Sequence, residues 1–478
     1  MGASKMKTYD LIAIGTGSVM NIVEAVLQSD PGKKVAVIDK DEPGGICLTR
    51  GCIPSKILVY PAQMLRTIEG AKTLGVEVQV KKVDFQGIMK RMRTILERDI
   101  GVIRKSLTES VSIDYYHGVA EFVAPYQLKV GDETITSKMI LLGLGSKPLI
   151  PPIKGLDEVP YHTSDTILHI KKLPASLAII GGGYIAAEYG HFFSAMGSKV
   201  TVIGRNPQFL PEEEPEISDL AKKEMSKHMA VFTNHEVIEV KKSSRKRKTI
   251  IAMDRSSKKT REFTSEEILV AVGRGSNIDL LHPERGGIKT DEKGWVVVDP
   301  YLQTSQSNVW ALGDAIGKHP FKHVANYESK IVYYNAILGE KTRVDYRAVP
   351  HAVFAHPEIA SVGMKQKEAI ELAGEDGVLI GFQAYDDTAK GEAMGVKDYF
   401  TKVMVERETN RILGAHIIGP HASMLIQEII TLMYTGERSA APIFAGMHIH
   451  PSLSEVVERA FIGLMPPQEY DSIRRLRN

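Results

Sequence analysis

The stretch TYDLIAIGTGSVMNIVEAVLQSDPGKKVAVIDK, residues 8–40, decides the fold. Residues 8–14 are a short, mostly apolar run that reads as a buried strand, followed by the turn Gly15-Thr16-Gly17. A helical pattern runs from Asn21 to Gln28, and a second apolar run, Val35 to Ile38, ends in Asp39 and Lys40. Strand, glycine turn, helix, strand and acid in that order make a dinucleotide-binding unit. Gly15 and Gly17 let backbone N–H groups approach a pyrophosphate at a helix N-terminus, where the dipole favours negative charge. Asp39, 22 residues after Gly17, stands where a carboxylate accepts hydrogen bonds from ribose hydroxyls. Met20 occupies the position of the usual third glycine, which weakens the case for the closest helix–strand packing but leaves the first turn intact.

The same arrangement returns further along the chain. Leu177 to Ile180 leads into Gly181-Gly182-Gly183-Tyr184-Ile185-Ala186, then a helix through Glu188 and a strand from Lys199 to Ile203. This second strand ends in Gly204-Arg205 instead of an acid. One glycine motif is a weak signal, but two in the right strand–turn–helix–strand setting predict a chain that holds two dinucleotides.

The rest of the chain frames these units. Its 478 residues suggest about three domains. Sixty basic against 58 acidic residues give a net charge of +2, which exerts no global pull toward nucleic acid or anionic lipid. No apolar run reaches the roughly 18–20 residues that span a bilayer, and MGASKMK at the start has no apolar signal core. A soluble, cytoplasmic, multidomain protein is expected, with neither nucleic acid nor membrane as partner. Pro148 to Pro152 reads as an extended connector. The basic run KKSSRKRK, Lys241 to Lys248, reads as a solvated hairpin tip in preference to a nucleic-acid patch. From about Val349 the pattern becomes α+β.

Cys47 and Cys52 are the only cysteines, within GGICLTRGCIPSK at residues 44–56. In a reducing compartment a lone pair points to metal binding or redox chemistry. Four intervening residues allow the sulfurs to meet if Gly51 relaxes the backbone. A bond closing so short a loop constrains the unfolded chain little, so its use would be thiol–disulfide exchange. Two unrelated buried cysteines remain the alternative on spacing alone.

These features together resemble the flavoprotein disulfide reductases, a family that includes dihydrolipoyl dehydrogenases, glutathione reductases, mycothione reductases and mercuric reductases. The matching elements run in order over residues 8–470: the first glycine turn, GGICLTRGCIPSK, GGGYIAAE, AVGR at 271–274, WALGD, HPEIASVG at 356–363 and HIHPSLSE at 448–455. The resemblance implies an α/β fold of two Rossmann-like domains and a C-terminal α+β dimerisation domain. FAD would bind the domain made of residues 8–150 and 278–345, NAD(P)H the domain of residues 151–277, and residues 346–478 would join two subunits into a homodimer. Cys52 would lie against the flavin and Cys47 would face the substrate. Lys56 matches the family lysine near the flavin, with Glu188 as its ion-pair partner, and Asp314 matches the aspartate on the ribityl chain. Gly45, Ala120, Gly145 and Lys322 fall on FAD positions. Gly181, Gly182, Gly183, Tyr184, Ile185, Val237 and Gly273 fall on nicotinamide-nucleotide positions. His450 would carry protons, oriented by Glu455, and would come from the other subunit; no metal is implied. Taken without the resemblance, Lys56 and Glu188 could be a helix-surface pair, and HxHPxxxE suits a metal or a helix cap better than catalysis.

Within the family, CIPSK and the Ser-Leu-Ser-Glu ending favour a dihydrolipoyl dehydrogenase, acting on a small dithiol or a lipoyl group on a carrier protein. The turn Gly-Thr-Gly-Ser and the ending Glu-Val-Val-Glu-Arg-Ala resemble mycothione reductases, which makes an NADPH-dependent reductase of a small disulfide the alternative, beside a flavoprotein subunit of a larger complex. Gly204-Arg205, lacking the acid that binds the adenine ribose, predicts that NADPH at least competes with NADH. Arg50 places a cation beside the cysteines; it could lower a thiol pKa, attract an acidic substrate, or simply face solvent.

Overall fold

The computed structural model describes residues 6–243 and 247–477; residues 1–5 of the opening segment and Ser244 to Lys246 of the basic run lie outside the described residues. Five parallel strands form the first sheet, in the order Val309–Ala311, Ile140–Leu142, Leu11–Ile14, Val35–Asp39, Ile113–His117. Every residue of Leu11–Ile14 is buried, as expected of a central strand in a parallel sheet covered on both faces. Helix Met20–Ser29 follows the first strand and turns Ile22, Val23 and Val26 inward.

A second parallel sheet repeats the design, in the order His162–Thr163, Glu267–Val270, Ser176–Ile180, Lys199–Ile203, Ala230–Phe232. Three antiparallel strands, His235–Lys242, Lys248–Asp254 and Thr260–Ser265, accompany it. Lys242 pairs with Lys248, so the two ends of the basic run lie on adjacent antiparallel strands. The chain enters and leaves this unit side by side, through the antiparallel pair Ser146–Pro148 and Arg274–Ser276.

The C-terminal part is a five-stranded antiparallel sheet in the order Pro350–Val353, Ile359–Gly363, Ile412–Ile418, Phe400–Glu406, Val378–Ala384, with helices Ala422–Met433 and Ser454–Ile462 packed on it. It is fastened to the second unit by a buried ion cluster. Lys402 reaches Glu216 at 2.5 Å and Gln366 at 2.7 Å, and the Tyr470 hydroxyl donates to Glu216 at 2.7 Å. Burial opposes the charge on Glu216, but Lys402 outweighs it and holds the carboxyl at about 2. No helix among the described residues is long and apolar enough to cross a membrane.

Candidate active site

The first glycine turn is built by contact. Gly15 has φ +100°, and a Cβ there would lie 2.1 Å from the Gly143 carbonyl oxygen. Thr16 donates its backbone N–H at 2.9 Å and its hydroxyl at 2.5 Å to Asp39 Oδ2, and Gly44 N–H donates to the same hydroxyl at 2.9 Å. Asp41 N–H donates to Oδ1 at 3.0 Å, so Thr16 and Asp41 orient the Asp39 carboxylate and Oδ1 keeps accepting capacity for a ribose. Gly45, at φ +68°, carries the cysteine loop across this turn: a Cβ on Gly45 would fall 2.6 Å from Gly17 Cα. Glycine against glycine is what brings the sulfurs to the nucleotide fold.

The loop then doubles back. Cys47 sits in the short helix Gly45–Thr49, and Cys52 opens helix Cys52–Ala71. Between them a Cβ on Gly51 would lie 2.9 Å from the Ile46 carbonyl oxygen, so only glycine lets the chain close so tightly. The two thiols meet as a coupled dithiol. The hydrogen bond from Cys52 brings Cys47 down to about 7 against its burial, with Lys322 and Lys56 assisting. The same bond, burial and the charge on Cys47 push Cys52 up. Arg50 is not the cation responsible: it pairs with Asp41 at 2.5 Å and Asp165 at 3.3 Å.

Lys56 lies on the helix opened by Cys52 and reaches both oxygens of Glu188 at 2.8 Å. Glu188 is buried on helix Tyr184–Met196 and also accepts Phe354 N–H at 3.1 Å, while Lys56 stands 4.8 Å over the Phe354 ring. The pair therefore joins the two nucleotide units and is not a surface pair on one helix.

These groups line one cleft of about 1530 Å³. It brings together Gly15, Gly17, Asp39, Lys40, Gly45, Cys47, Cys52, Lys56, Ala120, Gly145, Asp314 and Lys322 with Tyr184, Ile185 and Glu188. Gly145, at φ +62°, would drive a Cβ to 2.5 Å from Ile46 Cδ1, so the wall has no room for one. Lys322 Nζ donates to Ser18 Oγ at 2.8 Å beside the first turn. A long glycine-walled cleft with an acid at one end and thiols at the other fits an extended FAD.

The remaining sequence-predicted residues lie outside this cleft. Gly181, Gly182 and Gly183 form the second turn, where Gly181 (φ +134°) would place a Cβ 2.1 Å from the Ala271 carbonyl oxygen. A Cβ on Gly204 would fall 3.3 Å from Gly182 Cα, so the strand end packs beside that turn. Arg205 is exposed, Val237 is buried in strand His235–Lys242, and Gly273 (φ +121°) accepts Leu149 N–H at 3.0 Å. These belong to the second nucleotide unit and its borders. His450 and Glu455 are apart from the cysteines within one chain. His450 Nδ1 bonds Glu455 Oε1 at 3.0 Å, and that bond holds the buried Glu455 carboxyl below its usual range. His448 lies 3.4 Å from both Glu428 and Glu458.

Arg274 of the cleft and Ser146 beside it were not named as site residues from the sequence. Ser146 Oγ donates to Asp314 Oδ2 and accepts Arg274 Nε at 2.7 Å, while Arg274 Nη2 donates to the Ser146 carbonyl at 2.9 Å. Arg274 closes the AVGR motif, which was visible; nothing local marked Ser146.

Two dinucleotide-binding units with a dithiol and a Lys–Glu pair between them define a two-nucleotide dithiol/disulfide redox enzyme. The chain belongs to the pyridine nucleotide-disulphide oxidoreductases: residues 9–331 match that family, and residues 349–461 match its dimerisation domain. It is a flavoprotein oxidoreductase using FAD and NAD(P)H. Over 471 residues it is 35% identical to mycothione reductase of Mycobacterium tuberculosis, covering 96% of this chain and 100% of that one. It is 32% identical to dihydrolipoyl dehydrogenase of Chlamydia muridarum, covering 98% and 100%. Among solved structures, the Cu(II) complex of the HOCl-induced flavoprotein disulfide reductase RclA from Escherichia coli superposes with a TM-score of 0.83 at 28% identity, covering 96% and 99%.

Proposed function

We propose that the protein is an NADPH-dependent reductase of a small-molecule disulfide, acting as a homodimer. The observation that carries this reading is the end of strand Lys199–Ile203, where Gly204-Arg205 replaces an acid. Arg255 Nη1 donates to the Arg205 carbonyl at 3.1 Å, so a second guanidinium stands at the same strand end. Arg205 and Arg255, with no carboxylate at the strand end itself although Glu236 lies 3.8 Å from Arg255 Nε, favour a 2′-phosphate. The similarity to mycothione reductase supports the small disulfide.

FAD, when bound, supplies two-electron transfer between the nicotinamide and the sulfurs. Lys56, held by Glu188, keeps a positive charge at the thiol end of the cleft. The Cys47 thiolate attacks one sulfur of the substrate disulfide, forming a mixed disulfide and releasing one thiolate. His450 of the partner subunit protonates that leaving group, its ring oriented by the carboxylate it bonds through Nδ1. The Cys52 sulfur then attacks Cys47, releases the second thiol and closes the Cys47–Cys52 disulfide. One substrate disulfide gains two electrons and two protons, and the enzyme dithiol loses them.

Dihydrolipoyl dehydrogenase activity, which the sequence placed first, is the second reading. CIPSK, the Ser-Leu-Ser-Glu ending and the likeness to the Chlamydia muridarum enzyme favour it, with a lipoyl group on a carrier as substrate. Steady-state turnover with lipoamide, glutathione disulfide and mycothiol-type disulfides, each with NADPH and NADH, separates the two. The first reading expects a low-molecular-weight disulfide with NADPH to give the highest kcat/KM. Fast lipoamide turnover confined to NADH would overturn it.

A further inference from the structure

The carboxylate that orients His450 is shared. Glu455 Oε1 accepts from His450 Nδ1 at 3.0 Å and from Arg459 Nη2 at 2.9 Å, while Oε2 accepts Ser452 N–H at 3.3 Å. Arg459 follows Glu455 by one helical turn, and its Nη1 donates to the Asp387 carbonyl at 3.1 Å. The guanidinium thus ties the carboxylate to the segment ahead of helix Ala389–Met394. The His450 side chain is 67% exposed, so with Nδ1 engaged its other nitrogen is free to meet a substrate.

A carboxylate bonded to imidazole alone places its full charge behind a proton on the ring. A second charge-assisted bond to the same oxygen withdraws part of that charge and fixes the plane of the carboxylate. We propose that Arg459 is a positioning residue for the His450–Glu455 pair, one that holds the carboxylate in place and limits how strongly it stabilises a protonated His450. This rests on His450 being the proton carrier proposed above. The other charged groups around the pair are His448 with Glu428, on helix Ala422–Met433, and Glu458, on the same helix as Glu455, and Asp387. None of them hydrogen-bonds to a Glu455 oxygen.

The test is the pH profile of kcat/KM for disulfide reduction by the holoenzyme, compared among wild type, Arg459→Gln, Arg459→Lys and His450→Gln. Arg459 is partly exposed and the buried Glu455 carboxylate keeps its bonds from His450 and Ser452 N–H in the glutamine variant, and a melting temperature for each variant checks that the fold is kept. Removing the positive charge should move the alkaline limb, on which His450 loses the proton it delivers, to higher pH by about half a unit, a roughly threefold smaller loss at about pH 9 relative to pH 7. Arg459→Lys should keep the wild-type limb. An Arg459→Gln profile lowered equally at every pH, with its alkaline limb unmoved, would make Arg459 a purely structural staple and overturn the proposal. Full turnover by His450→Gln would instead remove the reading beneath it, and the two failures are distinguishable because only the second spares activity without the imidazole.

Discussion

The two glycine turns have the same topology and different surroundings. The first is crossed at van der Waals contact by the cysteine loop, with Gly45 over Gly17, and its Thr16 orients the acid at the end of the next strand. At the second, Gly181 is as crowded as Gly15, but its later glycines have room: a Cβ on Gly183 would meet nothing within 4 Å, one on Gly182 would make ordinary contact at 3.5 Å, and the next strand ends in arginine. The contrast teaches how one architecture serves two duties. A turn fixed against the redox loop suits a nucleotide that stays, and a turn with room around it suits one that enters and leaves.

The largest effect should come from the loop on the first turn. Cys47→Ser should cut disulfide turnover roughly a thousandfold or more while FAD stays bound, checked by activity and flavin content. Retained turnover would detach the sulfurs from the chemistry. Next, Gly45→Ala should cost about 1–3 kcal/mol and lower the flavin-to-protein ratio, because its Cβ meets Gly17 backbone at a positive φ. Gly183→Ala is the control: thermal stability and flavin content should stay at wild type while KM for the nicotinamide rises a few-fold. Equal flavin loss in both would break the comparison. Arg205→Glu should shift the NADPH-to-NADH ratio of kcat/KM about tenfold toward NADH, leaving flavin untouched. The smallest effect lies on the pH axis. The neighbouring Cys52 thiol holds Cys47 at about 7, below the ordinary thiol range, so its thiolate persists above that pH. Alkylation of the reduced enzyme should rise through about pH 7, label Cys47 before Cys52, and move to higher pH in Lys322→Met.

The sequence made legible what local chemistry fixes. Glycine turns, the five-residue step between cysteines and alternating apolar runs all act over a few residues, so Gly15, Gly181 and Gly51 could be read in place, while Gly45 was reached only through resemblance. Lys56 with Glu188, 132 residues apart, was reached only through resemblance. Contacts without a motif were invisible. Ser146 meets Asp314 and Arg274 across 168 and 128 residues. The partners of Arg50, Asp41 and Asp165, come from two different loops, and they remove one of the roles the sequence left open, the lowering of a thiol pKa. His450 illustrates another limit, since a single chain keeps it apart from the cleft and its proposed role depends on a second subunit.

With only two cysteines in the chain, counting thiols tests the central claim most directly. Purified oxidised holoenzyme, denatured with and without prior anaerobic reduction by one equivalent of NADPH, is titrated with a thiol reagent. Close to zero thiols before reduction and two after it is the predicted result. Two thiols in both samples, or none in either, would contradict a Cys47–Cys52 pair that exchanges electrons with the nicotinamide.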